Sequence, residues 1–280
     1  MTLHYYEVCP PLDTFLDLLE GNCSLEYVDL TIEFDEFPAQ IPQHRDVTMN
    51  QLQYLSITCW DAMIARTMVS SIPLRRGVDL EITLREENTG LGLNDILSDI
   101  PTTHLSNLSS STSLVYWSPD REVWLNGPNG SLSYSHKRSR DRDLFQGVPF
   151  IGFPALPLTN VQEFCLAHSE SPIMFHPPSF PTLETFTIEG GADLSHLLSA
   201  LFSNPSASPL LKTLKFWDCT PTEKFMEELT QFASDRKDTT SAQLDRVMII
   251  HRDGKLPSTD SIRRLGRHVP VVDVGTKLIY

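Results

Sequence analysis

One short phrase of apolar and polar positions recurs along this chain: apolar, two residues, apolar, one residue, apolar. It reads Leu25-x-x-Val28-x-Leu30, Leu52-x-x-Leu55-x-Ile57, Val161-x-x-Phe164-x-Leu166, Leu183-x-x-Phe186-x-Ile188, Leu211-x-x-Leu214-x-Phe216 and Leu244-x-x-Val247-x-Ile249. Two weaker copies start at Gly77, with Leu80 and Ile82, and at Ser111, with Leu114 and Tyr116. Alternation of this kind is the period of a β-strand, whose successive side chains leave opposite faces. It predicts strands near 27–32, 54–58, 78–84, 164–167, 185–188, 213–217 and 246–250, and Leu3 to Tyr6 reads as an earlier one.

Between the phrases the period becomes helical. Leu12, Phe15, Leu16 and Leu19 fall on one helix face, and so do Phe225, Met226, Leu229, Phe232 and Ala233. Thr220-Pro221-Thr222-Glu223 has the form of a capping box ahead of the second of these. A third helix is predicted from Asp193 to Asn204, and a fourth opens at Ser258 or Asp260 and ends before Pro270. Asn126 to Gly130, flanked by Val123-Trp124-Leu125 and Leu132-Ser133-Tyr134, predicts a β-hairpin followed by a basic loop, His136 to Arg142.

Most copies of the phrase start roughly 22 to 34 residues apart, at or just above the roughly 20 to 29 residues of a leucine-rich repeat. Strand and helix in regular succession imply parallel strands with helical returns, stacked because one unit cannot bury its own apolar face. The expected fold is therefore an α/β leucine-rich-repeat-like solenoid over residues 1–280, with parallel strands on a concave face and helices on a convex one. Residues 118–152 form an inserted hairpin and loop in this reading. A first strand at Leu3 to Tyr6, with no cap ahead of it, predicts an open end.

Text-level likeness extends the expectation. "LTNVQEFCLAH", "FPTLETFTIEGGADLSHLLSALFSNP", "LLKTLKFWDCT" and the run from Phe225 to Val274 resemble the repeat region of fungal F-box-like leucine-rich-repeat proteins, as does "LNGPNGSLSYS". The repeat consensus asks for Asn or Cys at its ninth position, and Cys219 alone supplies it. The resemblance implies that the repeats hold a substrate while an F-box recruits a ubiquitin-ligase scaffold. No F-box pattern precedes the repeats in this sequence, so that scaffold is expected only if an F-box lies upstream. A stand-alone interaction scaffold is the alternative.

Composition narrows the classes. The net charge of −14 argues against a phosphate-backbone reader, and from Met1 to His44 acids stand without a single Lys or Arg. That asymmetry is either ordinary solvation or a surface for a protein partner with a basic face. No apolar run reaches the roughly 18 to 20 residues of a membrane helix, and no signal peptide is evident, so an intracellular site, cytoplasmic or nuclear, is expected. Cys9, Cys23, Cys59, Cys165 and Cys219 show neither C-x-x-C pairs nor an even count, which suits a reducing compartment.

Chemistry is hard to find. His251-Arg252-Asp253 lacks the Asn, the Gly-rich loop and the D-F-G of a kinase. Ser195 and His196 have no G-x-S-x-G elbow, Gly254-Lys255 is not a phosphate loop, and His168 with His176 lacks a third metal ligand. Catalytic residues, metal and cofactors are expected to be absent. What remains is the polar face of the strands. Alternation puts Tyr27 and Asp29, then Tyr54, Ser56 and Thr58, then Asp79, Glu81 and Thr83 on that face. Further along it carries Thr187, then Lys215 and Trp217, then Arg246. Tyr27, Asp29, Tyr54, Asp79, Glu81, Thr187, Lys215, Trp217 and Arg246 are the candidate partner-binding residues. Trp217 reads either as a binding anchor or as packing against the start of the helix that follows it.

Overall fold

A computed structural model describes residues 12–32, 45–85, 93–98, 100–117, 122–136, 156, 158–167, 180–190, 208–239, 243–251 and 256–276. The expected strand at Leu3 to Tyr6, the helix from Asp193, the loop beyond His136, and His168, His176, Ser195 and His196 lie outside these residues. The chain divides into two compact units. One comprises residues 1–112 with 120–142 and 153–157; the other comprises 113–119, 143–152 and 158–280.

The first unit holds α1 (Leu12–Gly21), β1 (Tyr27–Ile32), β2 (Tyr54–Cys59), α2 (Ala62–Ser71), β3 (Asp79–Leu84) and α3 (Leu93–Leu97). It also holds β5 (Glu122–Gly127) and β6 (Gly130–His136). Its strands are ordered β1-β2-β3-β6-β5. β1, β2, β3 and β6 run parallel, and β5 is antiparallel to β6. Val28, Leu30, Leu55, Ile57, Leu80, Ile82, Val123, Leu125 and Leu132 are buried as the alternation requires. The buried stripe of α2, with Ile64, Ala65, Met68 and Val69, adds to this core, and Asp61 caps the helix by accepting from the Met63 amide at 2.8 Å. Arg45 ties the segment before β2 to α1 through ion pairs with Asp17, at 2.5 Å, and with Glu20.

The second unit holds β4 (Ser113–Trp117), β7 (Glu163–Ala167), β8 (Thr185–Glu189), β9 (Thr213–Trp217), β10 (Arg246–His251) and β11 (Val271–Thr276). These strands pair in parallel in the order β4-β7-β8-β9-β10-β11. The helices α4 (Glu223–Thr239) and α5 (Thr259–Leu265) follow β9 and β10. Phe164 stacks on Phe186 at 5.2 Å, and Phe216 meets Phe225 of α4 edge-on at 5.0 Å. Arg236 of α4 is 1% exposed. Its guanidinium donates to the carbonyls of Ser208, at 3.1 Å, and Leu211, at 2.9 Å, which fixes the helix to the turn entering β9. Burial pushes that guanidinium below its ordinary pKa.

These pairings overturn the expected all-parallel, sequential solenoid. β3 pairs with β6 rather than β4, β4 pairs with β7, and β5 is antiparallel. The hairpin causes the difference. Its turn at Pro128-Asn129 brings Gly127 opposite Gly130, and the returning strand offers Leu132 and Tyr134 on the same face as Leu80 and Ile82. Gly130 has φ +128°, and a Cβ there would lie 2.3 Å from the Val78 carbonyl oxygen. The Gly77 amide donates to the Asn129 carbonyl at 2.6 Å, and the buried Asn107 side chain donates to the Val78 carbonyl at 3.0 Å. The hairpin is thus a member of the sheet and not an insertion beside it. The mixed, non-sequential strand order is an α/β arrangement in place of a regular repeat array.

A local correction concerns α4. The capping hydroxyl is that of Thr222, which accepts from the Phe225 amide at 3.1 Å, so the helix begins two positions later than a cap at Thr220 implies.

Candidate functional site

In the first unit the strand register assembles three rows on the polar face. Tyr27, Tyr54 and Asp79 stand side by side. One step along come Asp29, Ser56, Glu81, Ser133 and Trp124. Beyond them lie Thr31, Thr58, Thr83 and Ser135. Five of the nine residues expected from sequence therefore share one surface. Tyr27 is 46% exposed and donates to Gln53 Oε1 at 3.1 Å. Tyr54 is half-buried and its hydroxyl donates to Glu81 Oε2 at 2.5 Å. Burial, and then the bond to Glu81, push the Tyr54 phenol up to about 12. It is a fixed hydroxyl donor at neutral pH. Asp79 accepts from Ser131 Oγ at 2.7 Å.

Two features of this face escape the sequence reading. Ser56 and Thr83 are buried, because small hydroxyl side chains sink between larger neighbours such as Tyr54 and Glu81. Trp124 and Ser133 join the acidic row, although the sequence reading treats the hairpin carrying them as an insertion. The alternation of buried Val123 and Leu125 about Trp124 is the signal that locates it.

The remaining four candidates lie on the second unit's polar face. Cys165, Thr187, Lys215, Met248 and Asp273 form one row. Glu189, Trp217 and Ile250 form the next. Arg246 is engaged by Asp273 at 3.3 Å. Trp217 is half-buried, followed by Asp218 at φ 59°, and its carbonyl accepts from the Gly190 amide at 2.8 Å. Burial and the Glu189 carboxylate push the Cys165 thiol up to about 11, against the opposing charge of Lys215. Burial, with Asp218 and Glu189, pushes Cys219 up to about 12. Neither thiol is poised as a nucleophile, which requires the thiolate.

Among the described residues no group of three or more His, Cys, Asp and Glu side chains is placed to hold a metal ion. No described helix is long and apolar enough to cross a membrane. Comparison with protein-family models, with curated proteins and with solved structures finds no match for this chain. The resemblance to fungal F-box-like leucine-rich-repeat proteins is therefore unsupported by any relative and contradicted by the strand order. The substrate-receptor reading drawn from it and the alternative of a stand-alone repeat scaffold both fall with the repeat architecture.

Proposed function

We propose that this chain is a non-catalytic binding protein whose first unit receives a cationic group, such as a lysine or arginine side chain, on the face bearing Tyr27, Tyr54, Asp29 and Glu81. The observation that carries the reading is the register: two phenol rings lie in one row and two carboxylates in the row beside it. Carboxylates supply charge, and aromatic rings supply a cation–π surface worth about 0.5–1 kcal/mol at exposed sites. The bond from Tyr54 to Glu81 fixes the carboxylate's orientation before a ligand arrives. The chain's net charge of −14 favours cationic ligands during encounter. The protonated thiols of Cys165 and Cys219 favour binding over covalent chemistry. Among the described residues Cys23, Cys165 and Cys219 form no disulfide, which suits the reducing, intracellular setting that we propose with it.

The test is calorimetric titration with acetylated, amidated hexalysine and with its fully Nε-acetylated counterpart. Binding is expected for the charged peptide alone. The double variant Asp29→Asn with Glu81→Gln should weaken it at least about tenfold, the scale of one binding hot spot. A control removing two exposed acids of the second unit, Asp238→Asn with Asp245→Asn, changes net charge equally and should leave affinity within about twofold. Equal losses in the two double variants would reduce the interaction to bulk charge and overturn the proposal.

A further inference from the structure

The second unit carries a cavity lined by helix residues and the turn after them, apart from its strand face. A cavity of about 260 Å³ opens between α4 and α5. This is a little below the roughly 300 Å³ at which pockets for drug-sized ligands begin. From α4 it is lined by Met226, Glu227, Thr230, Gln231 and Ser234, and from α5 and the turn after it by Ser261, Arg264 and His268. The α4 residues recur at i, i+1, i+4, i+5 and i+8, a single stripe beside the helix's buried face. Met226 and Ser261 are buried, while Glu227 and Arg264 are exposed.

The charged groups stand on different helices. Arg264 Nη2 donates to Ser261 Oγ at 3.0 Å and lies 3.9 Å from Glu223 Oε2. That leaves Nε and Nη1 without a partner among the described residues. The seating is firm, because Ser261 Oγ also donates to Glu223 Oε2 at 2.5 Å. The Ser261 and Ser258 hydroxyls hold the Glu223 carboxyl below the usual carboxylate range. The Glu227 carboxylate and the His268 ring likewise have no side-chain partner among the described residues. The α5 side thus offers guanidinium and imidazole donors, while α4 contributes a carboxylate and a thioether.

We propose that this cavity binds a small zwitterion, an α-amino acid with an apolar side chain. Its carboxylate meets Arg264 and His268, its ammonium meets Glu227, and its side chain lies against Met226. A phosphate or other dianion fits poorly, since Glu223 and Glu227 both repel it. A simple amine meets the guanidinium with the wrong sign.

The experiment uses the full chain with 13C-methyl-labelled methionine and L-leucine as the probe. Met226→Leu identifies one of the seven methionine signals. 4-Methylpentanoate and 3-methylbutylamine are leucine without its amine and without its carboxylate. L-Leucine is expected to shift the Met226 methyl saturably, and both analogues to leave it unmoved at the same concentration. Glu227→Gln and Arg264→Gln should each raise the dissociation constant at least about tenfold, equivalent to 1.4 kcal/mol. The other methionine signals report that the variants are folded. Absence of any leucine-induced shift, equal binding of either analogue, or retained affinity in both variants would overturn the proposal.

Discussion

Leu214 is fully buried in β9, between strands on both sides. Truncating it removes apolar contact and leaves a cavity, so Leu214→Ala is expected to cost about 2–5 kcal/mol in denaturant unfolding. An unchanged midpoint would contradict the register of β9. Tyr54 provides a titration. Its phenol is held up to about 12, so the folded state retains a proton that the unfolded chain releases near 10. The stability it contributes is complete below pH 10 and declines as pH rises through 12. In alkaline difference spectra, subtracting Tyr54→Phe from the wild type should isolate one late tyrosine ionisation. A component near 10 would show that neither the burial of the phenol nor its bond to Glu81 is maintained. Residue roles of this kind were partly legible. Leu214 and Tyr54 follow from parity along the strand. The burial of Ser56 does not, because parity gives the face and not the height of the neighbouring side chains.

At the scale of elements, strand positions were legible and strand partners were not. Alternation places β2, β3 and β9 within a residue or so of their ends. Yet Leu132 and Tyr134 alternate in the same way whether β6 lies beside β3 or apart from it. A hydrophobic period carries no information about direction or neighbour. The Asn-Gly-Pro-Asn-Gly run announced the hairpin, while its docking depends on contacts remote in sequence: Asn129 with Gly77, and Gly130 against Val78. Gly130→Ala is therefore expected to destabilise by more than about 1 kcal/mol, since φ is positive and the new methyl would lie against a carbonyl. Gly77→Ala, at φ +89° but facing open space, should cost less. Thermal unfolding of the pair decides the matter. Equal losses would mean that backbone strain alone operates and that the hairpin does not dock tightly on β3.

For the whole molecule the dominant quantity is charge. Thirty-six acids face 22 Lys and Arg, and self-repulsion at −14 opposes the compact state. Raising salt from about 10 to 200 mM shortens the Debye length from about 30 to below 10 Å. The melting temperature is expected to rise, and a flat or falling temperature would show that the acids are locally compensated, as Arg45 compensates Asp17 and Glu20. The acidic bias was visible in the sequence from the start, as were five of the residues on the first unit's polar face. The groove between α4 and α5 was not, because Arg264 and Glu227 come to line one cavity only through the packing of two helices separated in the chain by a strand.

The pairing of β3 with β6 also sets an order of events in time. Tyr27 meets Tyr54 across 27 positions (54 − 27) and Tyr54 meets Asp79 across 25 (79 − 54), whereas Asp79 meets Ser131 across 52 positions of chain. Doubling the length of a closing loop adds only about 0.6 kcal/mol of entropy, so the equilibrium structure barely registers the detour. Kinetics are more sensitive, because non-local contacts reward the chain only after closure. The hairpin forms on its own within about 1–10 μs and then waits for its seat. During refolding, amides of β2 should gain protection before those of β6, and a slowed β6 phase in Gly130→Ala would mark docking of the preformed hairpin as the late step.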